Sequence, residues 1–443
     1  MRRIAALRLA AALLLLGCAG DDEPQATATT TATTDDAGDD SWDTAATECV
    51  YYGTGGSPLY DVAVRELWEP VQDPPPEPQP LWRLDNAACE SDWLHAIDIT
   101  AQGVLCAAGH RARPDSSCAD SCPISTPWVR CLSPSYEELW SRSYDAGTRT
   151  IAALVTTPDG GVVLTGARHN ATPPAEGYAG APWIAALDPA GDLLWEHAQP
   201  TPGALRAVDR GGDGTLVVVG DVVVDDGRTD LFAAAYAPDG SVLWTTTYDS
   251  ATYEAALDVA VDDLGRAWVV GMRRDDVLAP HLGVDAFDSS WGHGLFRVDP
   301  YRIWGTTAVV ALLSPDGAVQ WVDVPPEDPS TWTAAVVVLP GGDAVVGGEL
   351  AGDDSLARYT PEGTIAWIAG GASASVTALA LDGAGDVLAI GSDCACVMKL
   401  DADGHELATQ RRVRSDALAL TPAGAPLVGH YIESGWFYPP VNY

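Results

Sequence analysis

Residues Val208–Asp249 read VDRGGDGTLVVVGDVVVDDGRTDLFAAAYAPDGSVLWTTTYD. The apolar run Thr215 to Val219 closes on Gly220 and gives way to a polar loop. A second run, Leu231 to Tyr236, breaks at Pro238-Asp239-Gly240, and a third begins at Val242 and passes through Trp244. Short β-branched runs bounded by Asp-Gly or Pro-Asp-Gly are antiparallel strands joined by hairpins. The stretch is one unit of an all-β protein.

The unit recurs, and its copies are counted by their glycines. A turn glycine is followed six residues later by a glycine that closes an apolar strand, at Gly103/Gly109, Gly160/Gly166, Gly214/Gly220, Gly265/Gly271, Gly342/Gly348 and Gly385/Gly391. Gly424/Gly429 is a seventh pair, one residue short. An outer tryptophan recurs at Trp140, Trp195, Trp244, Trp321 and Trp367, with Ala408 in the sixth copy. A period of about 50 residues with several short strands each indicates a propeller. The seventh copy has strands at Ala417–Leu420, Ala425–Gly429 and around Trp436–Val441, and then the chain stops short of a Leu-Trp strand. Leu81-Trp82-Arg83-Leu84, ahead of the first copy, carries that signature. The expected fold is an all-β, seven-bladed β-propeller over residues 81–443, with four-stranded antiparallel blades and the last blade closed by an N-terminal strand, which leaves no open edge.

Ahead of the ring the composition changes three times. Arg2 and Arg3, the short apolar run Ile4 to Leu16, and Leu15-Leu16-Gly17-Cys18 resemble a bacterial lipoprotein signal peptide, which implies removal of residues 1–17 and lipidation of Cys18. Ala19 after the cysteine resembles lipoproteins sent to the outer membrane, so the expected location is the cell envelope. Residues 18–48 are acidic and rich in Thr, Ala and Asp, with too little apolar surface to fold, and read as a disordered tether. Residues 49–80 are an extension ending in the Pro-rich linker PVQDPPPEPQP.

Charge excludes one class of partner. The chain has 62 acidic against 24 basic residues, net −38, and Lys399 is its only lysine. No basic track exists for nucleic acid, and anionic lipid would repel the domain, leaving the lipid anchor as the membrane contact.

Nine cysteines less Cys18 leave eight, an even number that in an exported chain favours disulfides. If Gly109 faces Trp128 across a hairpin, Cys106 faces Cys131. Cys118 and Cys122 share a loop, Cys49 and Cys89 flank the Pro-rich linker, and Cys394 pairs with Cys396 only through a distorted turn.

The hairpins between first and second and between third and fourth strands are short. The irregular insertions Arg111–Pro127, Arg168–Pro182, Asp221–Thr229 and Arg273–Gly305 all fall between second and third strands. They leave one face of the disc, as the loops of a binding surface do. The longest carries Trp291, His293, Arg297 and Trp304, residue types common at interfaces. Polar residues following the closing glycines, namely His110, Asp221, Glu349, Asp393 and His430, are further binding-face candidates. His110 and His430 are also candidate metal ligands, if blades seven and one are neighbours.

Leu381-Asp-Gly-Ala-Gly-Asp-Val-Leu-Ala-Ile-Gly391 and Val261-Asp-Asp-Leu-Gly-Arg-Ala-Trp-Val-Val-Gly271 are similar to β-propeller repeats of bacterial exported proteins. Leu187-Asp-Pro-Ala-Gly-Asp-Leu-Leu-Trp195 resembles quinoprotein-type blades, which also occur in a propeller lipoprotein of outer-membrane barrel assembly. Asp-Gly stands where quinoprotein blades carry Thr-Gly-Lys. The resemblance implies architecture over activity. No catalytic motif is present and no cofactor is expected. The reading favours a lipid-anchored, non-catalytic module for a protein or glycan; the alternative is a propeller-type enzyme, a metal-assisted hydrolase or quinoprotein oxidoreductase.

Overall fold

The computed structural model describes residues 58–66, 82–84, 91–113, 124–145, 148–169, 180–224, 228–250, 252–274, 306–324, 331–350, 354–370, 375–391, 396–411 and 415–436. The chain divides into two units, Met1–Thr47 and Glu48–Tyr443, and every described residue belongs to the second.

Among these residues every regular element is a strand, and the fold is an all-β propeller of four-stranded antiparallel blades. β1 (Pro58–Glu66) and β2 (Trp82–Leu84) precede six blades of four consecutive strands. Blade one is β3 (Ser91–Ile99), β4 (Leu105–Arg113), β5 (Ile124–Leu132) and β6 (Glu138–Ser143). Blade two is β7 (Arg149–Thr156), β8 (Val162–His169), β9 (Gly180–Leu187) and β10 (Leu193–Ala198). Blade three is β11 (Gly203–Arg210), β12 (Leu216–Val223), β13 (Thr229–Tyr236) and β14 (Val242–Tyr248). Blade four is β15 (Tyr253–Val261), β16 (Ala267–Arg274), β17 (Thr306–Leu313) and β18 (Val319–Asp323). Blade five is β19 (Trp332–Val338), β20 (Ala344–Glu349), β21 (Leu356–Tyr359) and β22 (Ile365–Ala369). Blade six is β23 (Val376–Leu381), β24 (Val387–Gly391), β25 (Cys396–Leu400) and β26 (Glu406–Arg411). β27 (Ser415–Leu420) and β28 (Pro426–Trp436) then join β1 and β2 in a terminal sheet of order β27-β28-β1-β2.

The terminal sheet differs from the expectation in two respects. Its third strand comes from the N-terminal segment: β28 runs through Trp436 and pairs with β1 from Pro58↔Trp436 to Glu66↔Leu427. Residues 58–66, expected in an extension ahead of the propeller, are therefore a sheet strand; residues 437–443 lie outside the described residues. Residues 82–84 are the outermost strand, but Trp82 is opposite Val64, itself opposite Gly429. The matching chain in blade one is Ala108, Val129 and Arg142, so Trp82 stands two positions along from the place held by Trp140.

Both glycines of the repeat have physical causes. The first sits in a tight turn at positive φ, as at Gly103 (83°) and Gly214 (89°), a conformation that costs glycine nothing. The second answers a bulge. In all seven sheets the pairing of first with second strand slips by one residue at the same place, putting His95, Ala152, Arg206, Leu257, Ala334, Thr377 and Asp416 in a bulge. The slip pushes a carbonyl against the facing residue. A Cβ at Gly109 would stand 1.9 Å from the Trp93 oxygen, at Gly220 2.0 Å from that of Ala204, and at Gly271 2.1 Å from that of Ala255.

The outer tryptophans latch each blade to the next. Each indole covers the glycine of the following blade's outer hairpin: Trp140 on Gly191, Trp195 on Gly240, Trp244 on Gly317, Trp321 on Gly363 and Trp367 on Gly404. The indole N–H donates to a carbonyl of that hairpin, from Trp244 to Pro315 (2.9 Å), Trp321 to Pro361 (2.8 Å) and Trp367 to Ala402 (3.0 Å). The residue before the tryptophan, or before Ala408 in blade six, is bulged out of register, so Leu139, Leu194, Leu243 and Leu407 are exposed. A bulge on an outermost strand also disfavours pairing with another chain's edge. Two exceptions mark the terminal sheet. Blade six has Ala408, and residues 67–81, between the third and fourth strands of the next sheet, contain no glycine. Blade one has Tyr136, at φ 63°, where later blades have glycine.

The core lies between blades. Val217, Val219, Ala233, Val269 and Val309 pack between blades three and four. Leu94, Ile97 and Leu105 meet Ala417, Ala419 and Leu427 of the terminal sheet, and Leu388, Ile390 and Val397 meet Val428.

Candidate functional site

The first strands surround the ring axis, and their bulges set the chemistry at its mouth. In each of the six blades the bulged residue is fifteen positions before the residue that follows the closing glycine, as in His95/His110 and Arg206/Asp221. In blade one His95 Nε2 and His110 Nδ1 are 2.6 Å apart, their rings stacked at 4.8 Å, with Trp93 edge-on to His110 at 5.8 Å. Burial, reinforced by the neighbouring His95, holds His110 well below the usual imidazole range, so a neutral ring shares one proton with its neighbour. In blade three Arg206 Nε donates to Asp221 Oδ1 at 2.7 Å, both side chains being buried. In blade four the equivalent pair is apolar, Leu257 with Met272 against Trp332. In blade five Trp332 Nε1 donates to Glu349 Oε2 at 3.2 Å.

These groups are committed to one another. A buried ion pair and a half-buried imidazole pair shape the mouth, and the ion pair resists replacement of one partner. His95 and Arg206 escaped the sequence reading because an unbulged hairpin puts them on the wrong face; the recurring spacing of fifteen was the available signal.

His110, Asp221 and Glu349 thus lie in corresponding places on three blades, with no common focus among them. His430 does not correspond to His110. It is opposite Ser415 in the terminal sheet, the position Gly109 holds opposite Leu94 in blade one, because that copy's glycine comes one residue early. Asp393, Trp291, His293, Arg297 and Trp304 lie outside the described residues, as do Cys18, Cys49, Cys89, Cys118, Cys122 and Cys394. Cys106 and Cys131 face each other in β4 and β5 and are disulfide-bonded, with Cα atoms 4.1 Å apart. Cys396 is also disulfide-bonded.

Nearer the opposite face, acids bridge neighbouring first strands. These strands are edges facing the axis, so their N–H groups need acceptors from outside the blade. Asp98 Oδ2 accepts from Thr156 N (2.6 Å) and Oγ1 (2.8 Å), Asp209 from Val261 N (2.7 Å), and Asp258 from Val336 N (2.9 Å). Burial raises all three carboxyl groups. Asp258 is pushed to about 7, opposed by the Val336 and Val259 N–H groups and helped by the Asp209 charge. An acid whose folded pKa is raised favours the fold when protonated. Its contribution is complete below the unfolded value near 3.8 and is lost as pH rises through about 7. Both oxygens of Asp258 accept, from Val259 N and from Val336 N, so Asp258→Asn keeps one acceptor and loses the other; it is expected to melt below the unsubstituted protein at pH 5 and to lose less of its melting temperature between pH 5 and pH 8. Equal slopes of melting temperature against pH in the two proteins would contradict this assignment.

No family model matches the chain. No curated protein matches it. Among solved structures it is similar to a streptogramin B lyase, at 10% identity over 84% of this chain and 98% of that one, with a TM-score of 0.49. It is also similar to virginiamycin B lyase from Staphylococcus aureus, at 11% identity over 84% of this chain and 100% of that one, TM-score 0.47. The WD40 domain of Neurospora crassa Pan2 aligns at 7% identity over 78% and 90%, TM-score 0.48. Likeness at this level carries no activity across, and the propeller assignment rests on the strand pairing.

Proposed function

We propose that the chain is a non-catalytic binding or scaffold module whose partner, a protein or a glycan, docks on the face formed by the second-to-third-strand connections. The observation carrying this reading is the asymmetry between the two faces. First-to-second-strand turns repeat the same backbone bonds in every blade, as in Gly103 N to Thr100 O and Gly265 N to Asp262 O. The strands flanking segments 114–123, 170–179, 224–228 and 275–305 all end at the other face. A uniform scaffold with variable segments on one side suits recognition.

The ring is read as seven-bladed, with the terminal sheet as the blade that fastens both chain ends. Support comes from its packing against blades one and six and from the two latch exceptions beside it. Cys18 is read as the lipidated residue that holds the module in the cell envelope. One experiment tests both partner face and anchor. Full-length protein carrying a photo-activated crosslinking residue at Arg168 should form adducts in the envelope, and one carrying it at Leu264, exposed on the opposite hairpin face, should not. Cys18→Ala should move the protein to the soluble fraction. Equal adducts at the two positions would refute the partner face, and a Cys18→Ala protein that stays membrane-bound would refute the anchor.

A further inference from the structure

On the same face, between blades three and four, three carboxylates converge from separate elements. Asp230 is the second residue of β13, Asp249 follows the end of β14, and Glu254 lies in β15. Pairing of Leu231 with Tyr248 brings Asp230 beside Asp249, and the short connection between the blades returns Glu254 to them. One oxygen from each lies within 4.8 Å of the others. Asp230 and Glu254 are buried and Asp249 is exposed.

The two oxygens of Glu254 have different surroundings. Oε1 accepts from Ser250 N at 3.2 Å, from Thr252 Oγ1 at 2.6 Å and from Ser250 Oγ. Oε2 is as deeply buried and has no hydrogen-bond partner. Arg273, across the β15–β16 pairing from Glu254, does not supply one. Arg228 is 3.6 Å from Asp249 and so compensates the exposed member of the set. A fully buried carboxylate oxygen beside two further carboxylates demands positive charge.

We propose that Asp230, Asp249 and Glu254 form a calcium site that ties the connection between blades three and four to the start of β13. The donors are all oxygen, which selects a hard cation. Calcium holds its oxygens at about 2.3–2.6 Å, so ligands on opposite sides of one ion stand about 5 Å apart, whereas magnesium draws them to about 4 Å. Three protein carboxylates brought from separate elements suit calcium, which accepts irregular oxygen geometry, whereas magnesium is usually held through one or two carboxylates. The site fixes the strand ends that carry segment 224–228, and it does so whatever partner the face binds.

The test uses full-length protein treated with EDTA, with calcium chloride alone then added, followed by calorimetric titration and by melting temperature. Unsubstituted protein should bind one equivalent well above the diffuse binding of its acidic surface, and its melting temperature should rise. Asp249→Asn changes an exposed side chain and should melt with the unsubstituted protein in EDTA, lose the calcium-dependent rise, and bind at least about tenfold more weakly. Glu254→Gln should lose the rise as well. Asp239→Asn, in an exposed outer hairpin, should keep it. A calcium response absent from the unsubstituted protein, or equal in Asp249→Asn and Asp239→Asn, would overturn the site. An equal response to magnesium would overturn the assignment to calcium.

Discussion

Gly220→Ala is expected to destabilise the protein by about 3 kcal/mol or more, a large share of a total near 5–15 kcal/mol. The added Cβ would lie 2.0 Å from the Ala204 oxygen and 2.9 Å from the Leu205 Cα. Both are backbone atoms at the Arg206 bulge, so no rotamer change relieves the contact. Either the bulge straightens, which turns Arg206 away from Asp221, or β11 parts from β12. Gly212→Ala is the matched control: it lies in the adjoining turn, without positive φ, and a Cβ there meets nothing within 4 Å. It should change stability by no more than about 0.5 kcal/mol. Urea denaturation of the two variants measures the difference. Equal midpoints would mean that the repeated glycine serves only as a strand end, with no steric reason behind it.

A chain beginning at residue 48 should fold, and one beginning at residue 67 should aggregate or melt far lower. The second lacks β1, whose nine residues pair with β28. Its loss leaves β28 as an unpaired edge carrying the apolar sequence Pro426-Leu-Val-Gly. It also leaves residues 82–84 without a partner, since β2 pairs only with β1. The expectation differs from the one drawn from sequence, under which residues 81–443 would form the whole ring. Light scattering and thermal melting of the two chains decide it. Equal solubility and melting temperature would show that β1 is dispensable and that the ring is held elsewhere.

Most of the architecture was legible in the sequence because most of it is local. Each hairpin carries its own turn chemistry, so Pro238-Asp-Gly or Asp213-Gly214 marks a reversal without help from the rest of the chain. Alternation within each run and the recurring Leu-Trp gave strand order, and the register that puts Gly109 opposite Trp128 put Cys106 opposite Cys131. What is repeated was therefore evident, including the glycines whose steric cause was not.

The remainder depended on contacts between segments distant in the chain. Pro58-Leu-Tyr-Asp-Val-Ala-Val-Arg-Glu66 is separated by fifteen residues from its following partner, residues 82–84, and its other partner, β28, is made available only by ring closure. The bulge at His95 or Arg206 has no residue signature of its own; it arises where a first strand must bend around the axis, and it determines which side chain faces His110 or Asp221. Asp230, Asp249 and Glu254 look like ordinary turn and strand-end acids when read along the chain. The β13–β14 pairing and the junction of blades three and four bring them together, whereas the repeat signal in the sequence lies within single blades.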